Sequence, residues 1–419
     1  MKVFKFGGAS IKHAEAIHNI KDIIESFSED LVIVISASGK TTNALEQVVD
    51  TATRDKQGAF QQLQEILNQH LQLAKGLGDK VGDAYAEQLP ALIESVEPYL
   101  KQADALPYDQ LYDQVVSLGE LLSTKLVSLY LNQHGVTNQW MDIRPIIRTD
   151  DNFRDGRVDW QLTTAAVQEQ LLPHLNQQHV ITQGFLGGTG NGLTTTLGRE
   201  GSDYTASILA YCLPAEAVMI WKDVPGVLNA DPRYFESVTK IDYLSYKDAI
   251  EMTYFGAKVI HPKTIQPLQK KKIPLYVKSF IEPKGEGTII KDQSEFSFIP
   301  PMIVVKPNQV LLQLSTLDYS FIAEDHLSYI YDQFARSKVK MNLVQNSAIS
   351  LRISFDRDER KLNRLLEGLD AKFEVRHDFP LKMITLRYYN EDLLHQMKQS
   401  GQVILEERMR NTAQLLLKE

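Results

Sequence analysis

The chain has 419 residues, 43% hydrophobic and 23% charged, with a formal net charge of −8 from 45 Lys and Arg against 53 Asp and Glu. That length fits two or three domains with cores of useful size, and the acidic balance lacks the basic face that nucleic-acid binding requires. The single cysteine, Cys212, excludes an intrachain disulfide; with no signal peptide in residues 1–30 and no run near the ~20 apolar residues that span a bilayer, a cytoplasmic protein without membrane association is expected.

Lys2 to Phe6 reads as a short buried strand. Gly7-Gly8 then turn the chain, and Ser10 caps a helix running to about Phe27. Leu31 to Ile35 is an apolar run rich in β-branched residues, which suits a parallel strand covered on both faces. It ends in a small polar loop, Ser36 to Asn43, before another helix. From about 45 to 133 the pattern is mainly helical, with 3.6-type spacing of Leu63, Ile66, Leu67, His70 and Leu71. Strand signals return at His179 to Thr182, followed by a glycine-rich loop from Gly184 to Gly192. Ser202 to Tyr211 reads as a helix, and Ala217 to Trp221 and Ile273 to Val277 read as strands. Strands alternating with helices predict a three-layer α/β domain with a mainly parallel sheet.

A composition shift follows. Residues 282–308 hold Pro283, Pro300, Pro301, Pro307, Gly285 and Gly287, and the boundary is placed between 295 and 296. Beyond it the predicted order is strand 309–315, helix 325–337, strands 340–345 and 348–355, helix 359–369, strand 381–388, helix 391–399 and two final strands. That is the rhythm of small α+β units, about one and a half βαββ repeats.

Four loops combine glycine, hydroxyl and charge where strands end, the edge at which open α/β sheets bind ligands. Lys5-Phe6-Gly7-Gly8 suits phosphate, because glycines let backbone N–H groups approach its oxygens and a lysine neutralises charge in transfer. It equally suits an ordinary strand-to-helix turn with a surface lysine. The Walker A spacing is absent. Ser36 to Asn43 suits an anion or a capped helix start. In Thr194 to Ala206, capping accounts for Ser202 at a helix start but not for Arg199 and glycines just upstream. Arginine there is suited to a carboxylate by two parallel hydrogen bonds. Trp221 to Arg233 carries two turns, with Lys222 and Arg233 suited to phosphates, and reads as a site or as a surface loop.

Together, in this order, these loops resemble the amino-acid kinase superfamily, and the full set resembles the aspartate kinases. The residues that carry the resemblance are Lys5 to Ser10, Ile35 to Asn43, Ser117-Leu-Gly-Glu120, Gln183-Gly-Phe185, Thr194 to Ala206, Lys222 to Arg233 and Phe255 to Pro262. The likeness spans about 1–290, a kinase domain over 1–295. It implies a phosphotransferase that converts ATP and L-aspartate to ADP and 4-phospho-L-aspartate, the first step towards lysine, threonine and methionine. By the same resemblance, Lys5 and Asp203 are catalytic, with Asp203 organising the centre beside magnesium that is held mainly by ATP. Ser36, Thr42, Glu120, Arg199 and Ser202 surround aspartate, with Arg199 on a carboxylate and Glu120 on the ammonium. Lys5, Gly7, Gly8, Lys222, Asp223, Arg233 and Lys258 address ATP. Three positions depart from the family pattern: Ala9 stands where Thr is usual, Glu200 where Gly is usual, and Leu228 where an aromatic is common. Glu200 places a negative charge beside Arg199. Glu200 and Leu228 keep a rival reading open, a catalytically impaired amino-acid sensor that binds its ligand through the C-terminal modules.

Residues 296–419 resemble a pair of ACT domains, the βαββαβ modules that bind amino acids at their interfaces. Asn342 to Ile353 matches the strand–turn–strand of a full first module, while the remainder resembles a degenerate copy of the same unit. The resemblance implies a homodimer built through these modules, and allosteric control by lysine or threonine, with Asn342, Asn346 and Ser347 as effector contacts.

Overall fold

β1 (Lys2–Phe6) is the centre of an eight-stranded sheet, flanked by β2 (Leu31–Ile35) and β7 (Ala217–Lys222). In chain order the other members are β3 (Asn138–Met141), β4 (His179–Gln183), β8 (Tyr243–Ser245), β9 (Leu275–Ser279) and β10 (Thr288–Lys291), giving the order β3-β4-β2-β1-β7-β9-β10-β8. Every neighbour pair is parallel except β9 with β10. All five residues of β2 are buried, as a strand covered on both faces demands. β5 (Leu186–Gly188) and β6 (Thr194–Thr196) form a separate hairpin. The computed structural model describes residues 1–257, 260–292 and 299–418. Among these, no helix is long and apolar enough to cross a membrane.

The chain divides into two compact units. The first comprises Met1–Val227, Lys240–Ile250 and Val259–Phe296; the second comprises Leu228–Thr239, Glu251–Lys258 and Ser297–Glu419. The boundary expected between 295 and 296 lies outside the described residues. In the first unit the helices are α1 (Ala14–Glu25), α2 (Thr41–Ala52), α3 (Lys56–Gly76), α4 (Asp79–Glu94), α5 (Glu97–Lys101), α6 (Tyr108–Val116), α7 (Leu118–Gln133), α8 (Trp160–Ala166) and α9 (Gly201–Cys212), then the start of α10 (Tyr246–Tyr254), whose residues from Glu251 on fall in the second unit, and α11 (Pro262–Lys271). α7 is buried over most of its surface, so its apolar residues surround it rather than line one stripe. Phe6 stacks on Trp221 with ring centroids 6.0 Å apart, and Phe4 meets both rings edge-on, which binds β1 to β7 beneath the loops.

Ser10 is not a helix cap. Its N–H bonds Gly7 O at 2.9 Å in a 3-10 turn, Gly8–Ile11, in which Ser10 and Ile11 are buried, and α1 starts only after His13, whose ring accepts from Ala16 N. The glycine-rich stretch from Gly184 is not a plain loop either, because Gly187 and Gly188 pair with β6.

The second unit is a six-stranded antiparallel sheet in the order β12-β13-β11-β14-β16-β15, built on two long strands, β11 (Met302–Thr316) and β14 (Phe373–Arg387). Their outer partners are β12 (Met341–Asn346), β13 (Ser350–Asp356), β15 (Gln402–Arg408) and β16 (Thr412–Lys418). α12 (Glu324–Arg336) and α13 (Glu359–Leu369) share one apolar core, with Leu362, Leu365 and Leu369 at helical spacing. α14 (Glu391–Lys398) packs in another, smaller core. β14 starts eight residues before the expected Leu381, where it pairs with the far half of β11. Glu374, Arg376, His377 and Asp378 there hide the strand from a hydrophobicity reading.

Candidate active site

The carboxyl ends of β1, β2, β7 and β4 are level. Phe6 is in register with Ile35 and Trp221, and Ile35 with Gln183. The loops leaving these strands enclose a cleft of about 590 Å³. Glycine decides how close they come. A Cβ on Gly8 would lie 2.6 Å from Ala37 O, and one on Gly184 would lie 2.4 Å from Ser202 Cβ. Only a residue without Cβ fits at either place.

Lys5 lies one residue from the end of β1, with its ammonium in the cleft. Its Nζ is 2.7 Å from Asp203 Oδ1, and Lys222 Nζ is 3.6 Å from Asp203 Oδ2. Asp203 is buried in the first turn of α9, where the helix N-terminus favours an anion. Burial alone pushes its carboxyl up, but Lys5 and Lys222 outweigh burial and hold it below the usual range. One buried anion thus fixes two cations at the cleft floor.

Glu120, in the first turn of α7, is 3% exposed. Its Oε1 accepts from Ala37 N at 3.4 Å, while Oε2 is buried with no hydrogen-bond partner. Burial pushes this carboxyl up to about 8, against weaker opposition from backbone N–H groups and Lys5. A cationic donor entering the cleft would satisfy Oε2 and reverse that shift. Ser36, Thr42, Arg199 and Ser202 line the same cleft, as do Gly7, Gly8, Lys222 and Asp223.

Arg199 is exposed in the loop before α9. The neighbouring Glu200, expected to set its charge against Arg199, holds a left-handed backbone at φ 54° and accepts from His261 N at 2.9 Å through Oε2. That carboxylate is hydrogen-bonded at the start of α11.

Other expected site residues lie elsewhere. Arg233 belongs to the second unit, where it is exposed and its Nε bonds Asp231 Oδ1 at 3.0 Å. Lys258 lies outside the described residues. Asn342, Asn346 and Ser347 do not form one cluster. Asn342 is buried at the start of β12, bonded to Lys306, Gln309 and Asp356, whereas Asn346 ends that strand and Ser347 turns after it. Tyr112 and Arg154 line the cleft without having been expected there, and Phe185, Thr196 and Trp221 line it from segments singled out above but without a role assigned to them. Arg154 and Tyr112 come from a loop and a helix without a glycine–hydroxyl pattern, so no motif marks them. Among the described residues no cluster of His, Cys, Asp or Glu has the make-up of a metal site.

The model of the amino acid kinase family matches residues 1–279. Lysine-sensitive aspartokinase 3 of Escherichia coli (strain K12) is 34% identical over 354 residues, covering 84% of this chain and 78% of that protein. Aspartokinase 1, chloroplastic, of Arabidopsis thaliana is 34% identical over 370 residues, covering 84% of this chain and 63% of that protein. Among solved structures, E. coli aspartokinase III in complex with aspartate and ADP in the R-state superposes with a TM-score of 0.83 at 31% identity, covering 100% of this chain and 96% of that one. The same enzyme in complex with lysine and aspartate in the T-state gives the same figures.

Proposed function

The chain belongs to the amino acid kinase family, and on that premise we propose that it is an aspartate kinase, transferring the γ-phosphoryl group of ATP to the side-chain carboxylate of L-aspartate. The observation that carries this reading is the Lys5–Asp203–Lys222 set at the floor of a cleft that also presents Arg199 and the unpaired Glu120 Oε2.

The chemistry fits the residues. The acceptor carboxylate has an ordinary pKa near ~3.9 and is ionised at neutral pH, so no general base is required. The difficulty is bringing two anions together and stabilising the charge that spreads over the phosphoryl oxygens. Lys5 spans the phosphoryl group in transit. Asp203 stays ionised beside it and fixes both lysines before substrate arrives, so no reorganisation is needed at reaction. The Gly7-Gly8 turn, Lys222 and Asp223 face the nucleotide. Arg199 takes a carboxylate of aspartate, Glu120 its ammonium, and Ser36, Thr42 and Ser202 the remaining oxygens. Magnesium would be held mainly by ATP, with Asp203 the carboxylate of this chain nearest to help hold it, and would neutralise charge on the phosphates. The product, 4-phospho-L-aspartate, opens the route to lysine, threonine and methionine in the cytoplasm.

Residues 1–295 form the kinase domain and 296–419 an ACT region of one full and one reduced module. Two observations support the ACT assignment: a four-stranded, two-helix half built on one end of β11 and β14, and a half with a single eight-residue helix on the other. Pairing of two copies through this region and inhibition by lysine or threonine complete the proposal. The sensor reading loses its main support with Glu200 turned to His261. Incubation with ATP, magnesium, aspartate and hydroxylamine tests the assignment: aspartyl hydroxamate is expected, and none from the folded protein sinks it.

A further inference from the structure

Arg154 has no role in the family pattern, yet it lines the cleft beside Tyr112 and Thr196. Its backbone lies in the left-handed region, φ 67°, which disfavours any residue with a Cβ. Asp113 holds it there. This fully buried carboxylate accepts from Arg154 N at 2.9 Å, and from Thr196 N at 2.9 Å and Thr196 Oγ1 at 2.7 Å. A single buried anion therefore fixes two cleft-lining segments.

The guanidinium lies 4.3 Å over the Tyr112 ring. It reaches Asp109 at 3.4 Å and Glu46 at 3.6 Å, both long contacts to solvated carboxylates. Pairs of that kind are weak, so the guanidinium can exchange partners. Thr42 and Glu46 stand one turn apart on α2, on the same face. A guanidinium at Glu46 is thus one helical turn from the acceptor end of the cleft.

We infer that Arg154 is a specificity residue for the acceptor: an additional guanidinium that exchanges Glu46 for a carboxylate of a dicarboxylic amino acid, with Asp113 as the positioning residue behind it. The inference rests on the aspartate kinase reading and deepens it. Lys5 and Lys222 are held by Asp203 at the phosphoryl end of the cleft, so an acceptor with two carboxylates finds Arg199 and Arg154 as the guanidinium groups that line it.

The test is steady-state kinetics of the full chain in the hydroxamate assay, varying aspartate and ATP separately. Arg154→Gly removes the guanidinium and relieves the backbone, so the fold is not at risk. Its KM for aspartate should rise roughly 10- to 100-fold, the loss of one charge-assisted pair, while its KM for ATP stays within about twofold, as expected for a contact to one substrate. Arg154→Lys should recover part of the loss. Glu46→Gln should lower the KM for aspartate, because it frees the guanidinium. An unchanged aspartate KM in Arg154→Gly overturns the inference, as do equal rises in Arg154→Gly and Glu46→Gln, which would make the pair a structural strut. No hydroxamate from the wild type overturns the aspartate kinase reading itself; a normal wild type with an indifferent Arg154→Gly overturns this inference alone.

Discussion

Lys5 and Asp203 meet at 2.7 Å across the cleft floor, one from the middle strand of the sheet and the other from the first turn of α9. The pair is buried, and Lys222 stands on its other side. Removing one member of a buried pair leaves an uncompensated charge. The two substitutions therefore differ in sign at the site. Lys5→Met should lower kcat roughly 100- to 1000-fold by removing a preorganised cation, with magnesium-dependent ATP binding weakened less. Asp203→Asn should cost about 3 kcal/mol of stability or more, because two lysines lose their anion. Turnover and urea unfolding on the same preparations separate these effects; a Lys5→Met enzyme that unfolds early and loses activity in proportion would return Lys5 to a structural role.

Glu120 should make aspartate binding depend on pH. Its carboxyl is pushed up to about 8 by burial. A substrate ammonium beside Oε2 favours the ionised form, so affinity should increase as pH rises towards 8, and KM for aspartate should fall over that range. Stability runs the other way. A carboxyl raised above its unfolded value contributes stability that is full below about 4.5 and lost as pH rises through about 8. Glu120→Gln should flatten both profiles. A KM for aspartate independent of pH from 6.5 to 8.5 in the wild type would rule out Glu120 as the ammonium partner.

Much of this was legible in the sequence, and the reasons are local. β2 and β7 announce themselves because a strand buried on both faces is an apolar run, LVIVI in β2 and AVMIW before Lys222 in β7, while β1 alternates Val3, Phe4 and Phe6 with Lys2 and Lys5. The turns after them were legible because close loop approach demands glycine at Gly8 and Gly184. The half-exposed strands were not: β3 is four residues at an edge, and the first half of β14 carries Glu374, Arg376 and Asp378 on one face and His377 on the other. At the site, Lys5, Ser202 and Asp203 came from contiguous motifs. Arg154 did not, because its position follows from the Asp113 carboxylate 41 residues away, a relation that no local pattern records.

Gly184→Ala should cripple the acceptor end without touching a charged group. The new Cβ would meet Ser202 Cβ at 2.4 Å, Ser202 Oγ at 2.5 Å and Ser202 Cα at 2.8 Å. The start of α9 has to retreat, carrying Ser202 and Asp203 with it. The cost should be about 1–3 kcal/mol, as for other overpacked sites. Both KM for aspartate and kcat should worsen, since displacements of an ångström at a reacting centre cost about 100-fold. Wild-type kinetics and melting temperature in Gly184→Ala would show that the loop yields freely.

Asn342 and Asn346 share β12, but their substitution should have opposite signatures. Asn342 donates to Gln309 Oε1 at 2.8 Å and Asp356 Oδ1 at 2.9 Å, and accepts from Lys306 at 2.9 Å. Gln309 closes the set by donating to Asp356 at 2.7 Å. Burial drives the Lys306 ammonium down in pKa, while Gln309, Lys306 and Asn342 outweigh burial at Asp356 and hold its carboxyl down. Asn342→Ala therefore strips a hydrogen-bond partner from each of Lys306, Gln309 and Asp356 and should cost about 1–3 kcal/mol, visible as a lower unfolding midpoint. Asn346 is exposed at the other end of the strand, and Asn346→Ala should stay within about 0.5 kcal/mol of wild type. If lysine or threonine binds at the β12–β13 turn, Asn346→Ala and Ser347→Ala raise the inhibitor concentration needed for half inhibition with no change in melting temperature. An inhibitor response that shifts only in Asn342→Ala, together with its stability, would place the effector away from this turn.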